Sequence, residues 1–528
     1  MTRLLRAAGS ISAFTLLSRI FGLWRDRLMA QTLGPGFVQD TFLLVWALPN
    51  LMRRLLGEGA LSASLVPAYA KARREDPAKA RELLAQITGA VITLLTPLCA
   101  VVVLASLLLP AEWLPAPEKG GTAAMRLLLS LNAILFVYAL PVCLTAVYSG
   151  AMNTLGMFAL PAAVPIVLNL FWIVALLLCG PLGITVDTDI ANFTAVALSI
   201  GGFLQLLLVM VPLWRHGELL RPRFGLPARG TAAAAVFVAM GPTVLGMSLN
   251  QVSALLDQAM AFYLVGDGAV TYIYLANRLL LFPHALTAMS VAVAVFPKLA
   301  HEAGDVDRQQ MRRTLDLAAA ATILVTLPAA AGLIVLGDDV VRVLFQGGEF
   351  TEGDVWPTVL TSSCLVAGLP FLGLAQLYAR AFYAIGDTGT PARLAAKLMV
   401  LNLTLNLVLV LTTNLGTAAL TLSSSLSALA NATVLALKFR KHTPAAHDLG
   451  SAWLRSVAAT AAMCVSLPFL RLSSNDASLL ARALGNVAFP ITVGMLLYLG
   501  VHVLLRSPEL QALRRRRQKP KADQPPAG

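Results

Sequence analysis

Apolar runs long enough to cross a bilayer recur from one end of the chain to the other. Their spacing predicts about fourteen membrane helices. These lie near 10–33, 38–66, 85–110, 125–149, 160–180, 190–214, 232–262, 269–297, 314–337, 356–384, 392–412, 416–437, 452–471 and 481–505. Ten-residue stretches of strict alternation are absent, so the pattern predicts helices and not a membrane barrel. The first two spans are unusually polar. Ser10 to Leu33 is interrupted by Arg19, Arg25, Asp26 and Arg27, unlike the apolar stretch of a cleaved signal, and is expected to stay in the mature protein.

Composition agrees. Of 528 residues 57% are hydrophobic and 13% charged, against about 25% charged in soluble domains. Mean hydropathy is +0.75. The net charge of +13 is unevenly placed. Lys and Arg gather at the N-terminus (Arg3, Arg6), in loops 71–84, 215–230 and 298–313, at Arg393, Lys397, Lys438, Arg440, Lys441 and Arg455, and in the tail from Arg506 to Lys521. The intervening loops hold only Lys119, Arg126, Arg342, Arg471 and Arg482. This is the positive-inside asymmetry. It predicts two cytoplasmic termini, an even span count, and a tail (Arg514–Arg517) that anchors to lipid headgroups. It argues against nucleic acid as partner. The five cysteines all fall in apolar spans without a CxxC and read as core hydrophobes.

A shift of 230 residues superposes two stretches of the chain. Tyr148 meets Tyr378, Ala151 meets Ala381, Gly156 meets Gly386, Pro161 meets Pro391 and Pro67 meets Pro297. Prolines and glycines fix helix breaks, so their register carries structural information. The reading is two homologous six-helix lobes of one membrane orientation, with a substrate cavity between them. The expected divisions are 1–230 (helices 1–6), 231–445 (helices 7–12), an extra helix pair over 446–506, and a basic tail over 507–528.

The first two spans carry Arg19, Arg25, Asp26, Arg27, Asp40, Arg53, Arg54 and Glu58. A charge at the bilayer centre costs about 2.5–3.5 kcal/mol on insertion scales. Such residues must line a watery cavity, pair, or reach an interface. Asn50, Arg54 and Glu58 recur every fourth residue, after Pro49, with Arg53 beside them. Arg19 and Asp26 share a helix face, Arg25 lies off it, and Gly22 permits close helix approach. Span 8, the repeat partner of span 2, adds Tyr274, Asn277, Arg278 and His284. Arg19, Arg25, Arg53 and Arg278 are read as substrate contacts. Arg27 and Arg54 are equally read as snorkelling, or as pairing with Asp26 and Glu58. Asp257, a mid-membrane carboxylate, is either an ion site or a satisfied core Asp.

A guanidinium stays charged and presents a planar fork that matches phosphate oxygens, so several around one cavity suit a diphosphate and not a cationic drug. There is no GxxxxGK[ST] loop. The driving force is expected to be an ion gradient, the membrane potential or the substrate gradient. The competing class is a membrane-embedded, lipid-linked glycosyltransferase. Its acids would come from Asp338, Asp339, Glu349, Glu352 and Asp354, since the loop Gly34–Gln39 is too short.

The stretch SRIFGLWRDRLMAQTLGPGFVQDTFLLVWALPNLMRRLLGEGALSASLVP, from Ser18 to Pro67, resembles the N-terminal signature of the MurJ (MviN) lipid II flippases of the MOP exporter superfamily. YIYLANRLLLFP (Tyr272 to Pro283) and FYAIGDTGTP (Phe382 to Pro391) resemble it too. The resemblance covers essentially the whole chain. It implies an all-α integral membrane protein with two pseudo-symmetric lobes forming a V-shaped cavity, plus two extra C-terminal helices whose groove takes a lipid tail. It implies a location in the bacterial cytoplasmic (inner) membrane and movement of lipid II, undecaprenyl-diphosphate-linked disaccharide-pentapeptide, to the outer leaflet by alternating access for peptidoglycan synthesis. It implies no enzymatic activity and functional roles for Arg19, Arg25, Asp26, Asp40, Arg53, Glu58 and Arg278. Asp257 and Asp387 are the candidates for the sodium site of some relatives; a turn role for Asp387 stands beside that. Two positions depart from some relatives: Leu281 stands where they carry Glu, and Ala47 where they carry Lys. The alternative cargo is another polyprenyl-diphosphate oligosaccharide.

Overall fold

The structure, a computed structural model, describes residues 2–55, 60–117, 120–286, 288–304, 308–443, 449–472 and 478–508. Helices dominate. The first nine are α1 (Thr2–Leu33), α2 (Phe37–Met52), α3 (Ala60–Glu75), α4 (Pro77–Leu108), α5 (Gly121–Leu135), α6 (Ala139–Thr154), α7 (Ala159–Cys179), α8 (Asp187–Arg215) and α9 (Ala232–Met260). There follow α10 (Ala269–Leu286), α11 (Ala288–Glu302), α12 (Gln309–Val335), α13 (Gly337–Phe345), α14 (Glu352–Val366), α15 (Leu369–Ala384), α16 (Gly389–Thr412), α17 (Thr417–Phe439), α18 (Leu449–Ser466), the short α19 (Leu479–Arg482) and α20 (Phe489–Leu504). Helices are the form expected where lipid offers no partner for backbone N–H and C=O groups.

Among the described residues ten helical segments are long and apolar enough to cross a membrane. Each coincides with one of the fourteen expected spans. The other four expected spans fall on α1, on α2 and α3, on α9, and on α10 and α11, which are the polar or interrupted helices.

The 230-residue register reappears in the helix boundaries. α7 and α8 begin at Ala159 and Asp187, and α16 and α17 begin at Gly389 and Thr417. Gly156 and Gly386 end equivalent helices at positive φ, 79° and 83°, a conformation that favours glycine. By contacts the chain divides into two compact units. One comprises Met1–Thr271 with Gly347–Thr351, and the other Tyr272–Gln346 with Glu352–Gly528. α9 packs on α3, α2 and α4, so it joins the first unit. Its repeat partner α1 packs instead on α7.

The first unit is held by an aromatic cluster. The Trp46 ring lies 5.2 Å from Tyr138 and 5.3 Å from Trp172, and Phe42 lies 5.4 Å from Trp172. α8 approaches this cluster closely because Gly202 has no side chain: an added Cβ would strike the buried Tyr138 ring. Tyr138 cannot give way easily, since its hydroxyl donates to Gln205 Oε1 at 3.2 Å. In the second unit α17 packs on α14, α15 and α16, and α18 packs on α12 and α20. Ser425 donates to the Cys364 carbonyl at 2.6 Å, with Gly368 directly beneath it. Asn406 Nδ2 donates to Asn402 Oδ1 at 3.4 Å, giving α16 a buried polar face in an otherwise apolar helix. The extra pair is fixed by the Tyr498 hydroxyl on α20, which donates to the Leu324 carbonyl of α12 at 2.7 Å.

Gly202→Ala is therefore expected to destabilise the protein by about 1–3 kcal/mol through overpacking. Reversible unfolding in detergent micelles measures it, and wild-type stability would refute the close-packing account.

Candidate functional site

The sequence-predicted residues separate by environment. Arg25 is buried on α1 and is engaged on every side that the geometry defines. Its Nη2 and Nε donate to Asp26 Oδ1 at 2.6 and 3.0 Å, its Nη1 donates to Asn169 Oδ1 at 3.0 Å, and its guanidinium lies 4.4 Å from the Trp172 ring centroid. Asp26 is likewise buried. Asn169 Nδ2 donates to the Ser18 carbonyl at 3.1 Å, and Gly22 faces that amide, where an added Cβ would lie in ordinary contact at 3.7 Å. The expected close approach at Gly22 is thus to α7. This buried pair, hydrogen-bonded and stacked, meets the requirements that make an ion pair tolerable in a low dielectric. Arg25 and Asp26 therefore orient α1 against α7. Sequence reasoning missed Asn169 and Trp172. The available signal was a single Asn inside the otherwise apolar stretch PIVLNLFWIV.

Arg19, six residues earlier, is exposed, beside the exposed Leu16, Ile20 and Leu23. Arg19 and Asp26 were expected on a common face. That face runs from exposed at Arg19 to buried at Asp26.

On α2, Pro49 lies inside the helix, and the turn Arg53–Leu55 takes π geometry, the kind of local irregularity that a proline and a polar run favour. Arg53 is half-buried, and its Nε donates to Asn50 Oδ1 at 3.1 Å. Arg54 is exposed, and its Nη1 reaches Gln251 Oε1 on α9 at 3.3 Å. Glu58 lies outside the described residues, so the stripe Asn50, Arg54, Glu58 is described only in part. At the other end of α2, Asp40 is buried. Its Oδ1 accepts from the Thr271 amide at 2.8 Å and the Thr271 hydroxyl at 2.6 Å. Thr271 is the third residue of α10, so Asp40 caps that helix from a distance, satisfying a terminal N–H where negative charge is favoured.

In the second unit Arg278 is half-buried on α10. It donates to the Tyr274 hydroxyl at 2.9 Å and lies 5.1 Å from that ring's centroid. His284 shares a 3.2 Å hydrogen bond with Gln376.

Among the described residues no three His, Cys, Asp or Glu side chains gather to hold a metal. Asp257 is half-buried on α9 in the first unit. Asp387 lies in the second, in the turn before α16, where its Oδ1 accepts from the Thr390 amide at 2.9 Å. Hydrogen bonding from Thr390 holds this carboxyl below the usual range. Asp387 thus accepts the hydrogen bond of an Asx-type turn.

Four of the five acids offered for a glycosyltransferase are engaged by side chains. Arg342 pairs with Asp338 and Glu352, Arg471 Nη2 with Asp339 Oδ2 at 2.9 Å, and the Tyr272 hydroxyl donates to Asp354 at 2.8 Å. The Glu349 amide donates to the Gln31 carbonyl at 2.9 Å within the first unit. These contacts give the cluster a structural account in place of the metal-binding role a glycosyltransferase needs.

A sequence profile described as "Lipid II flippase MurJ" matches residues 29–480. The chain is 31% identical over 440 residues to the probable lipid II flippase MurJ of Vibrio cholerae, covering 82% of each. It is 31% identical over 463 residues to the lipid II flippase MurJ of Burkholderia cenocepacia, covering 86% of each. Its similarity to the probable lipid II flippase MurJ of Bdellovibrio bacteriovorus is 30% over 525 residues and 97% of each chain. Among solved structures, one described as lipid II flippase MurJ in an inward closed conformation superposes with TM-score 0.75 at 22% identity, covering 94% of this chain and 98% of that one. An inward-facing MATE-family multidrug transporter of the MOP superfamily gives 0.61 at 15%, covering 82% and 98%. These two likenesses bear on the fold.

Arg25→Ala should cost about 3–5 kcal/mol of stability, as expected for removing one partner of a buried pair, and Asn169→Ala about 1–3 kcal/mol. Arg19→Ala should stay within about 0.5 kcal/mol of wild type. Equal unfolding curves for Arg25→Ala and Arg19→Ala would contradict the division of roles.

Proposed function

We propose a function from one premise: the chain belongs to the lipid II flippase MurJ family. That family comprises membrane transporters and not enzymes, and the helices long and apolar enough to span a bilayer accord with it. In our reading the protein carries lipid II from the cytoplasmic to the outer leaflet of the bacterial inner membrane, by alternating access and with both termini in the cytoplasm. The lipid-linked diphosphate is its anionic cargo.

The observation that carries the reading is the unequal treatment of the arginines. Arg25 is closed into the interior of the first unit, whereas Arg19 is exposed and Arg53 and Arg278 are half-buried. An open arginine on a membrane helix is costly unless water and an anion reach it. Arg19, Arg53 and Arg278 are therefore assigned to the diphosphate, whose oxygens accept charge-assisted hydrogen bonds from guanidinium N–H groups. Asn50 and Tyr274 restrict the arginines they bond and so reduce the entropy lost on binding. Arg25 and Asp26 act by positioning α1. Asp40 acts by holding the start of α10.

The driving force is assigned to the membrane potential or an ion gradient. An uncompensated elementary charge crossing the potential changes energy by about 2.3 kcal/mol per 100 mV.

The test uses the full chain in lipid vesicles containing lipid II, with translocation followed by accessibility of the headgroup to an external enzyme. Arg53→Ala and Arg278→Ala should each slow transport about 10- to 100-fold, the loss of one charge-assisted contact of about 1.5–3 kcal/mol, with stability retained. Arg53→Lys should fall between, since lysine keeps the charge and loses the fork. Wild-type rates in the alanine variants would overturn the assignment.

A further inference from the structure

The segment between α8 and α9 is read above only as a basic loop, yet it is built as a strap along α4. Five contacts fix its path. Buried Glu218 accepts from Arg73 Nη1 at 2.7 and 2.8 Å and from the Tyr69 hydroxyl at 3.1 Å. Arg223 pairs with Glu82, and its amide donates to the Ala85 carbonyl at 3.1 Å. The Gly225 amide donates to Thr93 Oγ1 at 2.9 Å. Gly89 lets the strap lie on the helix, since a Cβ there would strike the Arg223 backbone.

The path has a depth. Glu82 carries the last charge and Gln86 the last amide of α4 before its long, mostly apolar run. Thr93 lies seven residues further on, roughly 10 Å along the helix axis at 1.5 Å per residue. The strap therefore descends past the polar end of α4 to the level of its apolar surface. Its side chains divide accordingly. Phe224 is 73% exposed and Leu226 69%, while Arg215, Arg221 and Arg229 are exposed and have no ion-pair partner among the described residues. Apolar tips at a depth of about 5–10 Å, flanked by free cations, are the chemistry of an interfacial membrane anchor.

We infer that residues 214–230 form a wedge seated in the membrane leaflet on the side of the basic loops. Phe224 and Leu226 enter the acyl region, and Arg215, Arg221 and Arg229 bind the phosphates of anionic phospholipids. The occupant is the bilayer itself, chosen because the cations lack ion-pair partners among the described residues and the apolar tips are exposed, as are Leu94 and Leu98 of α4. The inference needs no assumption about the cargo.

Two measurements on the full chain in phosphatidylcholine vesicles, with and without phosphatidylglycerol, test it. A photoreactive benzophenone amino acid placed at Phe224 should crosslink to lipid acyl chains on irradiation, whereas the same group at Arg229 should crosslink far less. Recovery of only protein or water adducts at 224 would overturn the wedge. The triple variant R215Q/R221Q/R229Q should lose its preference for phosphatidylglycerol, by about fivefold per arginine removed, while its unfolding in pure phosphatidylcholine matches wild type. An unchanged preference would overturn the headgroup role, and a crosslink to a second protein would assign the surface to that partner instead.

Discussion

A guanidinium group cannot stand in hydrocarbon without partners, and this constraint organises the polar half of the molecule. The price of Arg25 is met by Asp26, Asn169 and Trp172 together, which locks α1 to α7. The same solution appears in the second unit, where buried Arg312 pairs with Asp316 one turn away at 3.0 Å. Arg19, Arg53 and Arg278 are left more open, and their openness makes an anionic cargo reasonable. The helices that carry them are too polar or too interrupted to count among the ten apolar candidates for spans.

Most of the fold was legible in the sequence. Helices form wherever apolar runs demand internal hydrogen bonding, so ten spans fall where hydropathy puts them. The repeat was legible through Gly156 and Gly386, whose positive φ no ordinary side chain adopts cheaply. The packing of α9 was not, because compact units depend on which faces meet, and α9 meets α3.

The site was legible in part. Residue type and helical spacing identified every arginine that the geometry later distinguishes, but neither could say which would be covered. Coverage depends on Asn169 and Trp172, more than 140 positions away in sequence. The pairing of Asp40 with Thr271 was hidden for the same reason. Asp387 is the converse case. The GDTGTP turn around it was a sufficient local signal, and its hydrogen bond to Thr390 follows from turn chemistry.

The account's central claim is the cargo. Most direct is depletion of this protein in its native cell, followed by measurement of how lipid II divides between the two leaflets. The account predicts that lipid II accumulates on the inner leaflet while other diphosphate-linked lipids keep their distribution. Normal appearance of lipid II on the outer leaflet, in cells lacking any other flippase, would contradict it.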